Sequence, residues 1–286
     1  MQIAVLADIH GNLTALEAVT DDLAGLTPDL VYVAGDFQNR GPNPVEVTRF
    51  VADRGWRLLR GNHEDYVIQQ SASGVTSDLT DYYSWLPARW TAELTRDSVE
   101  WIRKLSIADS FPGPDGRLVT IAHGSPRSNS EGFFPRTTDA KAREMLGDEP
   151  RSLLCCGHSH LPLVRWINGT LLANVGSVGF PFDGDTRASY GIVTWRGNQW
   201  DAEIRRVAYS VDQVIAEFDK VNFYEGAGPL SYIIRLELES ARPHLTPFYH
   251  LFGPKLRNGE IEMANAVQDY VTMMKASQER VETSDR

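Results

Sequence analysis

The chain has 286 residues, 42% hydrophobic and 23% charged, the balance of a globular protein able to bury a sizeable core. Its net charge of -10 and pI near 5.2 exclude a broad basic surface, so neither stable nucleic-acid binding nor an anionic membrane partner is expected. No stretch approaches the roughly 18 apolar residues of a membrane span, and the opening Met-Gln-Ile-Ala-Val-Leu-Ala-Asp has neither the basic nor the long apolar region of a signal peptide.

Residues 2–7 are an apolar run that predicts a buried strand ending in Asp8-Ile9-His10-Gly11-Asn12. Asn12 is the expected N-cap of a helix carrying Leu13, Leu16, Val19 and Leu23 at helical spacing. A second strand over 30–34 ends in Gly35-Asp36 and runs on to Asn39-Arg40; Pro44 to Asp53 reads as a helix. A third strand over 56–60 ends in Gly61-Asn62-His63-Glu64-Asp65. This β-α-β-α-β order is that of a layered α/β domain.

Residues 66–105 carry Tyr82, Tyr83, Trp85, Trp90 and Trp101 among helix formers, and read as a helical region packed on the sheet. The aromatics are taken as core, with a wall of the site as the alternative. A strand over 117–122 ends in His123-Gly124-Ser125-Pro126-Arg127, and Thr138 to Leu146 reads as a helix. The run 151–156 is a buried strand containing the two adjacent cysteines, Cys155 and Cys156. Neighbouring cysteines strain a disulfide, so both are read as small apolar residues, in keeping with a reducing, cytoplasmic compartment. That strand ends in Gly157-His158-Ser159-His160, where two imidazoles two positions apart in an extended segment point to one side.

Leu163 to Ile167 and Thr170 to Ala173, joined by Asn168-Gly169, read as a β-hairpin. A glycine-rich loop, Asn174-Val175-Gly176-Ser177-Val178-Gly179, follows, then strands near 189–195 and 199–208 turned at Arg196-Gly197-Asn198. Beyond residue 210 the pattern changes: a helix at Val211 to Lys220, a Gly/Pro-punctuated stretch over 222–258 with a strand at Tyr232 to Leu236, and a last helix over 259–280 with a frayed end. The organisation expected is a domain over 1–210 and an α+β extension over 211–286, acting as a cap or an oligomerisation element.

The chemistry sits at the ends of five apolar runs: Asp8 and His10, then Asp36, then Asn62 and His63, then His123, then His158 and His160. Five of the seven histidines stand there, which random placement would not produce. Asp, His and a single Asn make a mixed oxygen and nitrogen set suited to borderline divalent ions. The number of ligands exceeds what one ion needs, and two ions bridged by a carboxylate are a device for in-line displacement at phosphorus. The guanidinium groups of Arg40 and Arg127 match phosphate geometry. A structural zinc site fits badly, because such sites favour closed Cys and His sets.

Asp8-x-His10, Gly35-Asp36, Gly61-Asn62-His63-Glu64, His123 and Gly157-His158-Ser159-His160 together resemble the ordered motif series of the calcineurin-like metallophosphoesterases, over roughly residues 1–195. The loop from Asn174 to Gly179 and the segment from Asp183 to Tyr190 are similar to the small bacterial phosphodiesterase branch. The resemblance implies a two-sheet α/β sandwich flanked by helices. It implies that Asp8, His10 and His160 bind one metal, that Asn62, His123 and His158 bind a second, and that Asp36 bridges them. A water or hydroxide between the ions would be the nucleophile. His63 would protonate the leaving oxygen or stabilise the phosphoryl oxygens, and Arg40, Arg127 and Asn62 would contact the substrate. Manganese is the first choice of metal, with iron, zinc, cobalt or nickel as alternatives. Two departures bear on the substrate: Asn39 stands where the protein-phosphatase branch has Asp, and Val175 where the phosphodiesterase branch has Pro.

The expected activity is hydrolysis of a phosphodiester in a small or nucleotide substrate. A phosphoprotein phosphatase or dinucleoside polyphosphate hydrolase is the alternative, and a non-catalytic interaction scaffold is a minor one. A protein phosphatase needs an open groove, whereas a tail folded over the site favours small substrates. The apolar stretches of the extension, Tyr232 to Leu236 and Phe248 to Phe252, need burial against the core or in a homo-oligomer interface.

Overall fold

The computed structural model describes residues 1–72 and 79–284; the predicted helical region over 66–105 and the final six residues fall partly outside them, as does the Tyr82 side chain. The strands in chain order are β1 (Gln2–Leu6), β2 (Leu30–Val33), β3 (Arg57–Leu58), β4 (Ala108–Pro112), β5 (Leu118–Ala122), β6 (Arg151–Cys156), β7 (Leu163–Ile167), β8 (Thr170–Asn174), β9 (Ala188–Arg196) and β10 (Gln199–Val207). They form two five-stranded mixed sheets, in the orders β10-β9-β1-β2-β3 and β4-β5-β6-β8-β7. β1 runs parallel to β2 and antiparallel to β9, and β6 runs parallel to both β5 and β8.

Ile3 and Val5 face one side of β1 while Ala4 and Leu6 face the other, and all four are buried because both faces of the sheet are covered. The inner faces meet in a core of Ile3, Val5, Tyr32, Ile121, Leu153, Cys155, Val193 and Trp200. Cys156, one position on, faces the opposite side and packs against the helix at 139–146. Both cysteines are free and buried, as the strand reading expects.

The helices are α1 (Leu13–Ala24), α2 (Pro44–Asp53), α3 (Asn62–Ala72), α4 (Leu79–Leu94), α5 (Val99–Ile102), α6 (Asp139–Leu146), α7 (Val211–Lys220), α8 (Phe223–Gly226), α9 (Ser231–Ser240), α10 (Leu245–Arg257) and α11 (Met263–Ser284). Asn12 caps α1, its side-chain oxygen accepting the Ala15 N–H at 3.0 Å. Asn168 and Gly169 both take positive φ between β7 and β8, as a type I′ turn requires.

Three differences from the sequence reading stand out. The third strand is only two residues long. β4 was not foreseen; it is an edge strand ending in Pro112, with few buried positions to betray it. Tyr232 to Leu236 is not a strand but part of α9, so the extension is helical throughout residues 211–284 apart from its turns. As a helix, α9 buries Ile233, Ile234, Leu236, Glu237 and Leu238 at once, by packing on two sides.

The extension docks on the sandwich. Val214, Phe218, Phe223, Ile234 and Leu238 close around Phe180, which lies just beyond the glycine-rich loop. Among the described residues, no helix is long and apolar enough to cross a membrane.

Candidate metal centre

β1, β2, β5 and β6 each hand over to a turn at the same edge of the sandwich, and the short β3 leads into α3 beside them. The turns are tightly wound: Asp8, His10, Asp36, Asn39, Arg40, His158 and His160 all have φ between 52° and 72°. These are seven of the twelve non-glycine residues with positive φ among the described residues, so backbone strain is concentrated here. Glycines allow the close approach: a Cβ on Gly61 would overlap the Asp36 carboxylate, and one on Gly157 would overlap that of Asp8.

The turns bring together seven side chains. His10 Nε2 and His160 Nε2 are 3.1 Å apart, and His160 Nε2 is 3.3 Å from Asp8 Oδ1. On the other side, Asn62 Oδ1 lies 3.0 Å from His123 Nε2 and 2.8 Å from His158 Nδ1. Asp36 Oδ2 reaches both halves, at 3.2 Å from His123 Nε2 and 3.8 Å from His10 Nε2. The outward nitrogens are held. His123 Nδ1 is 2.8 Å from the Ala34 carbonyl, and His160 Nδ1 bonds the Phe180 carbonyl, so each ring turns its Nε2 inward.

The donor set fits divalent ions. Asp8, His10 and His160 form one triad of converging ligand atoms; Asp36, His123 and His158 form another. Asp8 Oδ1 and His10 Nδ1 are buried without a hydrogen-bond partner. An orphaned buried carboxylate oxygen calls for a cation. Burial, and then the neighbouring His63, lower His10 well below the usual histidine value. Burial, then His123, lower His158 to about 4. Burial also works against the charged form of His123, but Asp36 and Asp8 outweigh it and raise that ring to about 10. Burial would raise Asp36, yet His123 and His63 hold it well below the carboxylate range. Without an ion, His123 is therefore the positive partner of the carboxylates; a bound ion would supply that charge instead.

Around this cluster stand groups the sequence did not resolve. Glu64 is fully buried and accepts the N–H groups of Asp36, Gln38 and Gly61 at 2.7, 3.0 and 2.8 Å. It ties the Asp36 turn to the Asn62 turn, although burial and Asp36 push it up to about 8. Asn174 donates to the Gly157 carbonyl at 2.7 Å and Ser177 Oγ to the Asp8 carbonyl at 2.8 Å, so the glycine-rich loop braces two ligand turns. Phe182 stacks on His160 with ring centroids 4.4 Å apart.

His63 and Arg40 flank the cluster. The His63 ring is 4.6 Å from that of His10, centroid to centroid, and its Nδ1 is 2.8 Å from Asn39 Nδ2. Burial, against the opposing pull of Asp36, lowers His63 to about 3. Arg40 is buried, lies over Phe180 and Phe182, and is paired with Glu237 of α9. Burial lowers its pKa to about 10, still far above neutrality. Nothing in the sequence joined residues 197 positions apart. Arg127 is half-exposed and its guanidinium pairs with Glu131 at 2.7 Å and Glu144 at 2.9 Å.

Comparison with known proteins agrees with this geometry. An uncharacterised protein of Methanocaldococcus jannaschii is 29% identical over 82% of this chain and 98% of its own length. The Erwinia tasmaniensis protein named bis(5′-nucleosyl)-tetraphosphatase, symmetrical, is 24% identical over 90% of this chain and 80% of its own. The crystal structure of a metallophosphoesterase from Sphaerobacter thermophilus superposes with a TM-score of 0.64 at 25% identity, covering 84% of this chain and all of that one. The calcineurin-like phosphoesterase superfamily domain matches residues 1–198, which hold every converging ligand described above, and the chain belongs to that superfamily of metal-dependent phosphoric ester hydrolases.

Proposed function

We propose that the chain hydrolyses phosphodiesters of small or nucleotide substrates. Asp8, His10 and His160 would hold one divalent ion, Asn62, His123 and His158 a second, and Asp36 both; manganese is the first candidate, with iron, zinc, cobalt and nickel behind it. When bound, the ions supply the positive charge that acidifies water and stabilises the charge gathering on phosphorus oxygens.

The observation carrying this reading is the pairing of Arg40 with Glu237. Helix α9 covers Arg40 through this pair and leaves its side chain buried, which favours a small substrate over a phosphoprotein. Arg40 supplies a buried positive group for a phosphoryl oxygen, with its Nε buried and unpartnered. His63 is neutral at physiological pH, and Asn39 holds its Nδ1 as an acceptor, so the proton sits on Nε2. A neutral Nε2–H donates to a phosphoryl or leaving-group oxygen without first charging the ring, which supports stabilisation over full proton transfer.

The relative from Erwinia tasmaniensis supports a second reading, hydrolysis of a dinucleoside polyphosphate. Rates on bis-p-nitrophenyl phosphate, p-nitrophenyl phosphate and a dinucleoside tetraphosphate separate the readings. The diester should be turned over fastest; a dominant rate on the tetraphosphate would favour the second, and cleavage of the monoester alone would overturn the diester assignment.

A further inference from the structure

A cavity of about 270 Å³ opens directly beside Asn39, Arg40 and His63 and runs away from the metal cluster. Its walls come from three parts of the chain: Tyr66 of α3, Trp85 and Ala88 of α4, and Ile234 and Tyr249 from α9 and α10. The rings form a continuous path. His10 contacts His63, His63 contacts Tyr66 at 5.1 Å, and Tyr66 meets Trp85 edge-on at 5.1 Å. A phosphoryl group held at the cluster would thus have an aromatic chamber on the side that His63 faces.

We propose that this chamber is a base pocket, which seats the nucleobase of a nucleotide ester while Arg40 and the cluster hold its phosphate. The proposal rests on the phosphoester reading and names its substrate class. The size suits one ring system: at about 270 Å³ the chamber falls just below the range of pockets that enclose whole drug-sized ligands, about 300–1,000 Å³. Tyr66, Trp85 and Tyr249 line the chamber beside the aliphatic Leu230, Ile234 and Leu245, a mixed apolar and aromatic wall on which a flat heteroaromatic ring can pack. Ser84 Oγ and Tyr249 OH, hydrogen-bonded to each other at 2.6 Å, put a polar patch on this wall. The larger groove of about 580 Å³ between α9 and α11 has no comparable link to the cluster residues. In this account the helical extension is the specificity element: without α9 and α10 the chamber lacks its third wall.

The test compares two product-like monoesters that share a phosphate and a pentose: adenosine 5′-monophosphate and ribose 5-phosphate. Their dissociation constants are measured by calorimetry on the full-length, manganese-loaded chain. Adenosine 5′-monophosphate should bind about 10-fold tighter or better, the advantage expected of one stacked base. Ala88→Phe fills the chamber from α4 and should bring the ratio of the two constants near one. Ile234→Phe fills it from α9 and should do the same, with melting curves confirming that at least one variant is folded. Equal affinities in the native chain, or a base advantage that survives in a folded filled variant, would overturn the proposal. The two readings fail separately. Metal-dependent hydrolysis with no base advantage removes the pocket alone, whereas a base advantage without any hydrolysis leaves the pocket and removes the enzyme reading.

Discussion

Asn39 and His63 share a hydrogen bond whose direction a third group fixes. Asn39 Oδ1 accepts the Arg40 N–H at 2.8 Å, so the amide must turn its NH₂ toward His63 Nδ1, also at 2.8 Å. The imidazole proton is thereby placed on Nε2. Asn39→Leu should lower kcat by about 10–100-fold, as for loss of a group that orients a neighbouring imidazole. Asn39→Asp should instead favour a proton on Nδ1, raise the His63 pKa and move the acid limb of the pH–rate profile upward. Identical profiles for the native chain and both variants would contradict this role.

Glu237 does two jobs at once. It pairs with buried Arg40, and its other oxygen accepts the N–H groups of His244 and Leu245 at 2.7 and 2.9 Å, capping α10. Removing it leaves a buried guanidinium unpaired, so Glu237→Ala should cost about 3–5 kcal/mol of stability. Arg40→Ala combined with Glu237→Ala should cost less than the sum of the two single changes. Denaturant unfolding of the four proteins in the cycle measures this, and strict additivity would refute the coupling.

A second ion pair tests acid stability away from the cluster. Arg205 clamps Asp22 at 2.9 and 3.0 Å and Tyr190 donates to the same carboxylate, joining α1 to β9 and β10. The Arg205 hydrogen bonds lower the Asp22 pKa below its ordinary value. The folded pKa lies beneath the unfolded one, so the stabilisation is complete above about pH 4 and is lost as pH falls through the folded value. Asp22→Asn should therefore cost about 1 kcal/mol at pH 7 and progressively less below pH 4. Urea unfolding at both ends of that range measures the gap; a gap that widens in acid has the wrong sign.

Much of the site was legible because ligand-type residues at strand ends are a one-dimensional signal. Each apolar run stops where its Asp, Asn or His begins, and the fold needs only to align the strands. Asn12 and Asn168-Gly169 were legible for the same reason: a cap and a tight turn are local chemistry. The rest depended on partners distant in sequence. Arg127 has the right chemistry for phosphate, but Glu131 and Glu144 claim it at the surface. Of the aromatics read as core, Trp101 stacks on Phe37 and Trp90 meets Phe223 edge-on, whereas Trp85 lines the chamber beside His63. Ile233 and Ile234 made residues 232–236 look like a strand, because β-branched pairs favour strands until tertiary packing on two sides of a helix overrides that preference.

Asp36 stands within reach of both halves of the ligand cluster, and the proposed function has it joining two ion sites into one hydrolytic centre. The direct test is metal content and bis-p-nitrophenyl phosphate hydrolysis, measured together on metal-stripped protein titrated with manganese. The native chain should take up about two ions, with turnover appearing as the second site fills, and Asp36→Asn should lose both the stoichiometry and the activity. An Asp36→Asn protein that binds as much manganese and cleaves the diester as fast as the native chain would contradict the account.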